Sequence, residues 1–277
     1  MVSSSQPSVV ITGGSSGIGA ACAHAFARAG MTITLAARGS ARLREAADGL
    51  TADGARVLPV VADVTDEAAM RMLASRALAA FGRIDILVCS AGLGYHGPFE
   101  DTTPDILRRL LEVNVVGTLN AARAMHPYLV AQRDGHVIVI SSIVARRGVP
   151  GYTAYCAAKA AQAGMAEALR TELGGSGIAV TTVFPVSTVT GFRDAMAREF
   201  GVRAEGRGPR QSPEVVARAV LRAMRSRRPE VYTLRRARWL VWAGMCAPRL
   251  TDRLTRRFAR RPQAPADDAS HLNAPSV

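Results

Sequence analysis

The chain has 277 residues, 48% of them apolar, which is enough for a sizeable core and excludes a disordered polymer. Its four cysteines, Cys22, Cys89, Cys156 and Cys246, show no paired spacing, which excludes an obvious disulfide framework or zinc site and makes a reducing cytoplasm the expected setting. The net charge of +13 is uneven: residues 1–202 are near neutral, whereas residues 203–261 carry 17 Arg against four acids. Short β-branched runs then alternate with longer helical stretches. Residues 8–12 read as a strand and 17–29 as a helix; 32–36 follows as a strand and 41–51 as a helix. Further strands are expected at 57–61, 84–89, 135–140 and 178–184, with helices at 66–81, 104–133 (interrupted), 153–173 and 213–225. After Glu230 the alternation stops. Residues 235–261 read as helical with a break at Pro248, and 262–277 as disordered. The apolar run from Trp239 to Ala247 is about half of the ~20 residues a membrane span needs, and the polar stretch before the first strand has no secretory character.

Repeated strand–helix–strand units imply an α/β fold: a Rossmann-type, doubly wound parallel sheet covered on both faces. The expected organisation is a single dinucleotide-binding domain over 1–230, holding the catalytic site and a substrate lid near 187–211. A basic helical extension over 231–261 and a tail over 262–277 follow.

The first strand runs into Thr12-Gly13-Gly14-Ser15-Ser16-Gly17-Ile18-Gly19 and then a helix. Glycines there allow a tight turn and close approach to a pyrophosphate, and the helix start offers free N–H groups and a positive dipole end. The spacing Gly13-x-x-x-Gly17-x-Gly19 resembles the short-chain dehydrogenase/reductase family, and the resemblance runs from about Val9 to Arg228. It implies a nicotinamide dinucleotide held by Gly13, Ser15, Ser16, Gly17, Ile18 and Gly19. The second strand ends in Leu35-Ala36-Ala37-Arg38. A carboxylate there would bind the ribose 2′-OH; Arg38, with Arg42 nearby, suits a 2′-phosphate, so NADP(H) is expected. The resemblance also assigns Asp63 and Val64 to the adenine, Ser90, Ala91 and Gly92 to the cofactor wall, and Pro185 and Thr190 to the nicotinamide side.

Tyr155 and Lys159 are four apart on an expected helix, hence on one face. A phenol has a pKa near ~10, and an adjacent ammonium is expected to lower it. Lys159 is the only lysine beside 34 Arg, which points to a role that a guanidinium cannot fill. The family likeness places its active-site serine at Ser142 and its proton-relay asparagine at Asn114. It implies interconversion of a ketone and a secondary alcohol, with Ser142 holding the substrate oxygen and Tyr155 exchanging its proton. Tyr152 is set aside because its i+4 residue is Cys156, and Ser141 fits the spacing less well than Ser142. Two positions depart from the family: Cys89-Ser90-Ala91-Gly92 stands for Asn-Asn-Ala-Gly, and Pro185-Val186 for Pro-Gly. Valine cannot cheaply take a glycine-only conformation, so a different loop path is expected there.

Phe192, Met196 and Phe200 recur at i, i+4 and i+8, either as a lid face over an apolar substrate or as ordinary packing. Phrases in the glycine turn and around Tyr155 are similar to those of reductases of long-chain keto lipids such as 3-ketosphinganine. The basic block suits an anionic partner (lipid head groups, nucleic acid or an acidic protein) or a solvated surface. Arg235-Arg236-Ala237-Arg238-Trp239-Leu240-Val241-Trp242 mixes cations and aromatics, as in a helix on an anionic bilayer or a subunit contact; no nucleic-acid reader motif is present. The family likeness further implies a homodimer or homotetramer. The competing reading is a cofactor-binding regulator or scaffold with a basic lipid-binding tail, against which the complete set Asn114, Ser142, Tyr155 and Lys159 stands.

Overall fold

Among the described residues, seven strands carry the fold: β1 (Ser8–Thr12), β2 (Thr32–Ala37), β3 (Val57–Val61), β4 (Ile86–Cys89), β5 (Gly135–Ile140), β6 (Ile178–Phe184) and β7 (Glu230–Tyr232). They form one sheet in the order β3-β2-β1-β4-β5-β6-β7, every neighbour parallel. The computed structural model describes residues 6–202 and 210–256.

Because side chains alternate across a strand, each buried strand supplies two apolar layers. Val10, Leu87, Val137 and Val139 point into one layer, under α3 (Glu67–Phe81), α5 (Gly117–Gln132) and α6 (Thr153–Gly174). Val9, Ile11, Ile86, Val88, Ile138 and Ile140 point into the other, under α1 (Gly17–Arg28), α2 (Ser40–Ala52) and α8 (Pro213–Ser226). Phe26 and Phe184 are fully enclosed, each contributing roughly 1.5–3 kcal/mol by burial. The chain winds outward in both directions from between β1 and β4. That reversal opens a crevice beyond the carboxyl ends of the strands, where ligands of doubly wound sheets bind.

The interrupted helix expected over 104–133 resolves into three pieces. Thr103 caps α4 (Pro104–Leu111), its side chain accepting from the Ile106 N–H, with Pro104 in the first turn. A five-residue π turn, Glu112–Val116, follows, and α5 continues through Pro127. Asn114 stands at the middle of the π turn, and such turns mark functional sites often enough to direct attention there.

One expectation fails: the alternation does not stop at Glu230. Three residues there form β7 and pair with β6, Thr182 opposite Glu230 and Phe184 opposite Tyr232. The strand is too short to show a period, and distant contacts define it. Tyr232 stacks on Phe184 at 4.9 Å. Arg146 pairs with both Glu230 and Glu167 while its guanidinium lies 4.8 Å from the Phe184 ring centroid. Beyond β7, α9 (Arg235–Cys246) and α10 (Pro248–Thr255) break at Pro248 as the sequence suggests. The expected tail over 262–277 lies outside the described residues.

Candidate active site

The carboxyl ends of β1, β2, β4, β5 and β6 surround a cleft of about 680 Å³. At its floor the chain turns from β1 into α1. A Cβ on Gly19 would lie 2.2 Å from the Gly13 carbonyl oxygen, so only glycine lets the helix start tucked against the turn. Gly13, Ser15, Ser16, Gly17 and Ile18 line the cleft; Gly19 lies beneath them. Ser16 caps α1 with no side-chain hydrogen bond, and the first turn holds no acid. The N–H groups and positive end of α1 are therefore available to an anion.

At one end of the cleft, Arg38 and Arg42 follow β2, with no carboxylate at that strand's end. Asp63 is 4.0 Å from Arg38 and accepts hydrogen bonds from the Thr65 N–H (2.9 Å) and hydroxyl (3.0 Å). Val64, Ser90, Ala91 and Gly92 continue the wall. The Ala91 N–H donates to the Thr12 hydroxyl at 3.3 Å, tying the ends of β4 and β1 together. A donor-rich turn between a cationic end and an apolar wall fits a dinucleotide phosphate.

At the other end, the first two turns of α6 place Tyr155 and Lys159 in the cleft with Ser142, which follows β5. Lys159 is 4% exposed. Its ammonium nitrogen donates to the Ile140 carbonyl (3.1 Å) and Gln162 Oε1 (2.9 Å), and lies 6.0 Å from the Tyr155 ring centroid. Gln162 Nε2 donates to the Thr118 hydroxyl (2.9 Å), which donates to the Asn114 carbonyl (2.7 Å). The Asn114 side chain does not face the cleft. Its amide nitrogen donates to the carbonyls of Leu93 (2.9 Å) and Leu110 (2.8 Å), and its oxygen accepts from the Leu93 N–H. It braces the segment after β4 from behind. Gln162 and Thr118 were not singled out in the sequence; the available signal was a polar residue one turn beyond Lys159 in an otherwise alanine-rich stretch.

Electrostatics correct one expectation. Burial raises the Tyr155 phenol above its ordinary pKa, and the hydrogen bond from Ser142 offsets only part of that. Burial also pulls Lys159 down to about 7, against a small opposing influence of Cys89. Four-residue spacing brought the pair together, yet the phenol is not driven toward phenolate in the free chain. Desolvation penalises both charged forms, and the amine spends its hydrogen bonds on Ile140 and Gln162.

Ser141 is buried and donates to the Lys159 carbonyl at 3.1 Å, leaving Ser142 as the serine that lines the cleft beside the phenol and acts on it. Tyr152, unpromising by spacing, stands in the cleft wall, its ring 6.2 Å from Tyr155 and 4.5 Å from His96. Across the cleft, α7 (Phe192–Phe200) sets Phe192 at 5.7 Å from Tyr155 and buries Met196. A Cβ at Gly94 would sit 2.4 Å from the Phe192 ring, so glycine permits this closure. Phe200 turns the other way, edge-on to Tyr95 at 5.4 Å. Pro185 and Thr190 line the cleft as expected. Val186 has no positive φ. Its N–H donates to the Thr233 hydroxyl at 3.4 Å, and its carbonyl accepts from Thr188 and Gln211. The loop thus takes a path valine tolerates, held by Thr233 just after β7 and by Thr188 and Gln211. Thr188 pairs with Gln211 at the root of the expected lid; residues 203–209 within it lie outside the described residues.

Comparison with known proteins agrees with this fold. The short chain dehydrogenase family model matches residues 7–199. Dehydrogenase/reductase SDR family member 7B of Bos taurus is 34% identical over 233 residues, covering 80% of this chain and 72% of that one. Some longer relatives are matched over only part of their length, down to 17%. A short-chain dehydrogenase/reductase from Burkholderia phymatum, solved with NAD, superposes with a TM-score of 0.80 at 26% identity, covering 96% of this chain and 99% of that one. A short-chain dehydrogenase from Sphingobium yanoikuyae, solved with NADPH, gives a TM-score of 0.74 at 30% identity, covering 94% and 99%.

Proposed function

The chain belongs to the short-chain dehydrogenase family and is an oxidoreductase of that family, and we propose that it interconverts a ketone and a secondary alcohol with NADP(H), on an apolar, lipid-like substrate. The observation that carries this reading is the convergence of Ser142, Tyr155 and Lys159 on the cleft that also holds the glycine turn.

In ketone reduction, the carbonyl oxygen sits between the Ser142 hydroxyl and the Tyr155 phenol. A bound nicotinamide dinucleotide supplies the hydride, and accepts it in the reverse direction. Burial keeps the phenol protonated at neutral pH, so Tyr155 is ready to donate as negative charge grows on the oxygen. Ser142 stabilises that charge by hydrogen bonding. Lys159 stands close enough to offset the phenolate left behind, and as an ammonium it can also hold ribose hydroxyls. Gly13, Ser15, Ser16, Gly17 and Ile18 hold the pyrophosphate, with Gly19 supporting the turn. Asp63, Val64, Ser90, Ala91 and Gly92 flank the adenosine half, and Pro185 and Thr190 the nicotinamide half. Asn114 acts from behind, through its carbonyl and Thr118, on the Gln162 that holds the lysine. Arg38 and Arg42 favour a 2′-phosphate. Phe192, Met196 and Val149 give the substrate end its apolar walls.

Fluorescence titration of NADPH against NADH, with Arg38→Ala alongside, tests the cofactor. Losing a charge-assisted contact of roughly 1.5–3 kcal/mol should cost NADPH about 10- to 100-fold in affinity and leave NADH unchanged. Equal affinities in the wild type would overturn the assignment. NADPH oxidation over a panel of long-chain ketones tests the chemistry; Tyr155→Phe should lower turnover by about 100-fold or more. Binding of NADPH with no turnover on any carbonyl would favour the scaffold reading.

A further inference from the structure

The helices beyond β7 carry an outer face that the chemistry leaves unused. Along α9, Ala237 and Val241 are buried against the domain. At 100° per residue, Trp239, Trp242 and Cys246 fall on the opposite side. Trp239 is 74% exposed, Trp242 58% and Met245 74%; on α10, Leu250 is 59% exposed and Leu254 51%. These are large side chains in one stretch, where a water-facing surface normally scatters apolar residues singly. Exposed Arg236, Arg238, Arg249, Arg253 and Arg256 surround them, and none has an acidic partner among the described residues. The single acid of the two helices, Asp252, is already paired with Arg147.

We propose that α9 and α10 form a docking surface for an anionic lipid bilayer. A bilayer offers this face both things it presents: an apolar boundary layer for tryptophan, methionine and leucine, and anionic head groups for the ring of guanidinium groups. A second copy of the same face would set five unpaired arginines against five more. Nucleic acid would satisfy the cations and leave the leucines and Met245 in water. The surface also stands next to the catalytic loop. Arg147, five residues beyond Ser142, donates to Asp252 and to the Pro248 carbonyl, fastening α10 to the segment that joins Ser142 to Tyr155. An apolar substrate leaving the membrane would thus arrive at the catalytic end of the cleft.

The chain's only two tryptophans are Trp239 and Trp242, so intrinsic emission reports this face alone. The full chain is mixed with large unilamellar vesicles of phosphatidylglycerol and phosphatidylcholine, or of phosphatidylcholine alone, and followed by emission and co-sedimentation. The expected result is a blue shift and co-sedimentation with the anionic vesicles, weakened by salt. Each surface arginine contributes on the order of fivefold in partitioning, so Arg238→Glu with Arg249→Glu should reduce binding by about 25-fold or more. Leu250→Ser with Leu254→Ser keeps both reporters and should also weaken binding, with an unchanged melting temperature showing that the fold survives. Absence of a shift with either vesicle overturns the proposal. So does emission that is already blue in a dimer which the leucine variant dissociates, or a shift given by an oligonucleotide and by no vesicle. Vesicle binding needs no turnover, so this reading and the oxidoreductase reading fail separately.

Discussion

Gln162 should control the protonation of Lys159, and the effect can be sized. The amine is enclosed and holds two acceptors, the Ile140 carbonyl at 3.1 Å and Gln162 Oε1 at 2.9 Å. Burial has already brought its pKa to about 7. Gln162→Leu removes one of the two acceptors from the charged form. A hydrogen bond to a charged group contributes about 1.5–3 kcal/mol, which at 1.36 kcal/mol per pKa unit lowers the lysine by about one to two more. Gln162→Glu places a carboxylate where the amide oxygen was and should raise it instead. Lys159 is the chain's sole lysine, so labelling with ε-13C lysine yields a single resonance whose pH titration reads the group directly. The pH profile of alcohol oxidation should move in the same direction, because the neutral amine cannot offset the phenolate. A wild-type lysine that titrates near its ordinary value would refute the burial argument. Identical titrations in the three proteins would refute the role of Gln162.

Two further outcomes follow from the fold. Arg146→Met breaks the pairs to Glu167 and Glu230 and the contact with the enclosed Phe184; Arg146 and both carboxylates are part-exposed, so a loss of about 1–3 kcal/mol is expected, seen as a lower urea midpoint. Early exchange of amide protons in β7 should accompany it, and unchanged β7 protection would contradict the pinning role. His136 is enclosed, bonded to the Thr181 hydroxyl at 2.7 Å, and burial lowers its pKa from 6.5 to about 4. Between those values the unfolded chain binds a proton that the folded chain refuses, so stability is lost as the pH is lowered from 6.5 to about 4, by about 3 kcal/mol for this group. Above pH 6.5 its contribution is complete. His136→Gln should flatten the acid limb of the stability curve, and an unaltered limb would show that other groups set it.

What was legible in the sequence was local. The glycine turn, its strand and its helix are contiguous, and the sterics that demand Gly19 act over six residues. The spacing from Tyr155 to Lys159 specifies a shared helical face with no further information. What was hidden depends on partners far along the chain. β7 has three residues, and its place in the sheet is set by Phe184 and Arg146. Tyr152 looked idle by spacing and entered the cleft through packing with His96, on the other side of α4 and α5 in the chain. Asn114 was found by family likeness, but its side chain braces Leu93 and Leu110, which spacing cannot reveal. The Tyr155 phenol departs from what its spacing to Lys159 suggests for the same reason: a partner is visible in the sequence, and the depth at which the pair is enclosed is not.

The pairing of Thr188 with Gln211 brings the two feet of α7's segment together beside β6. Closing that excursion at its base ties it to the fold beside β6 through the clasp itself. Natural variation can therefore rewrite the excursion beyond Thr190, and with it the range of compounds admitted, while the nucleotide half of the molecule, Thr190 included, is inherited intact. A graft of the segment between Thr190 and Gln211 from another member of the family is the corresponding engineering route to a new selectivity.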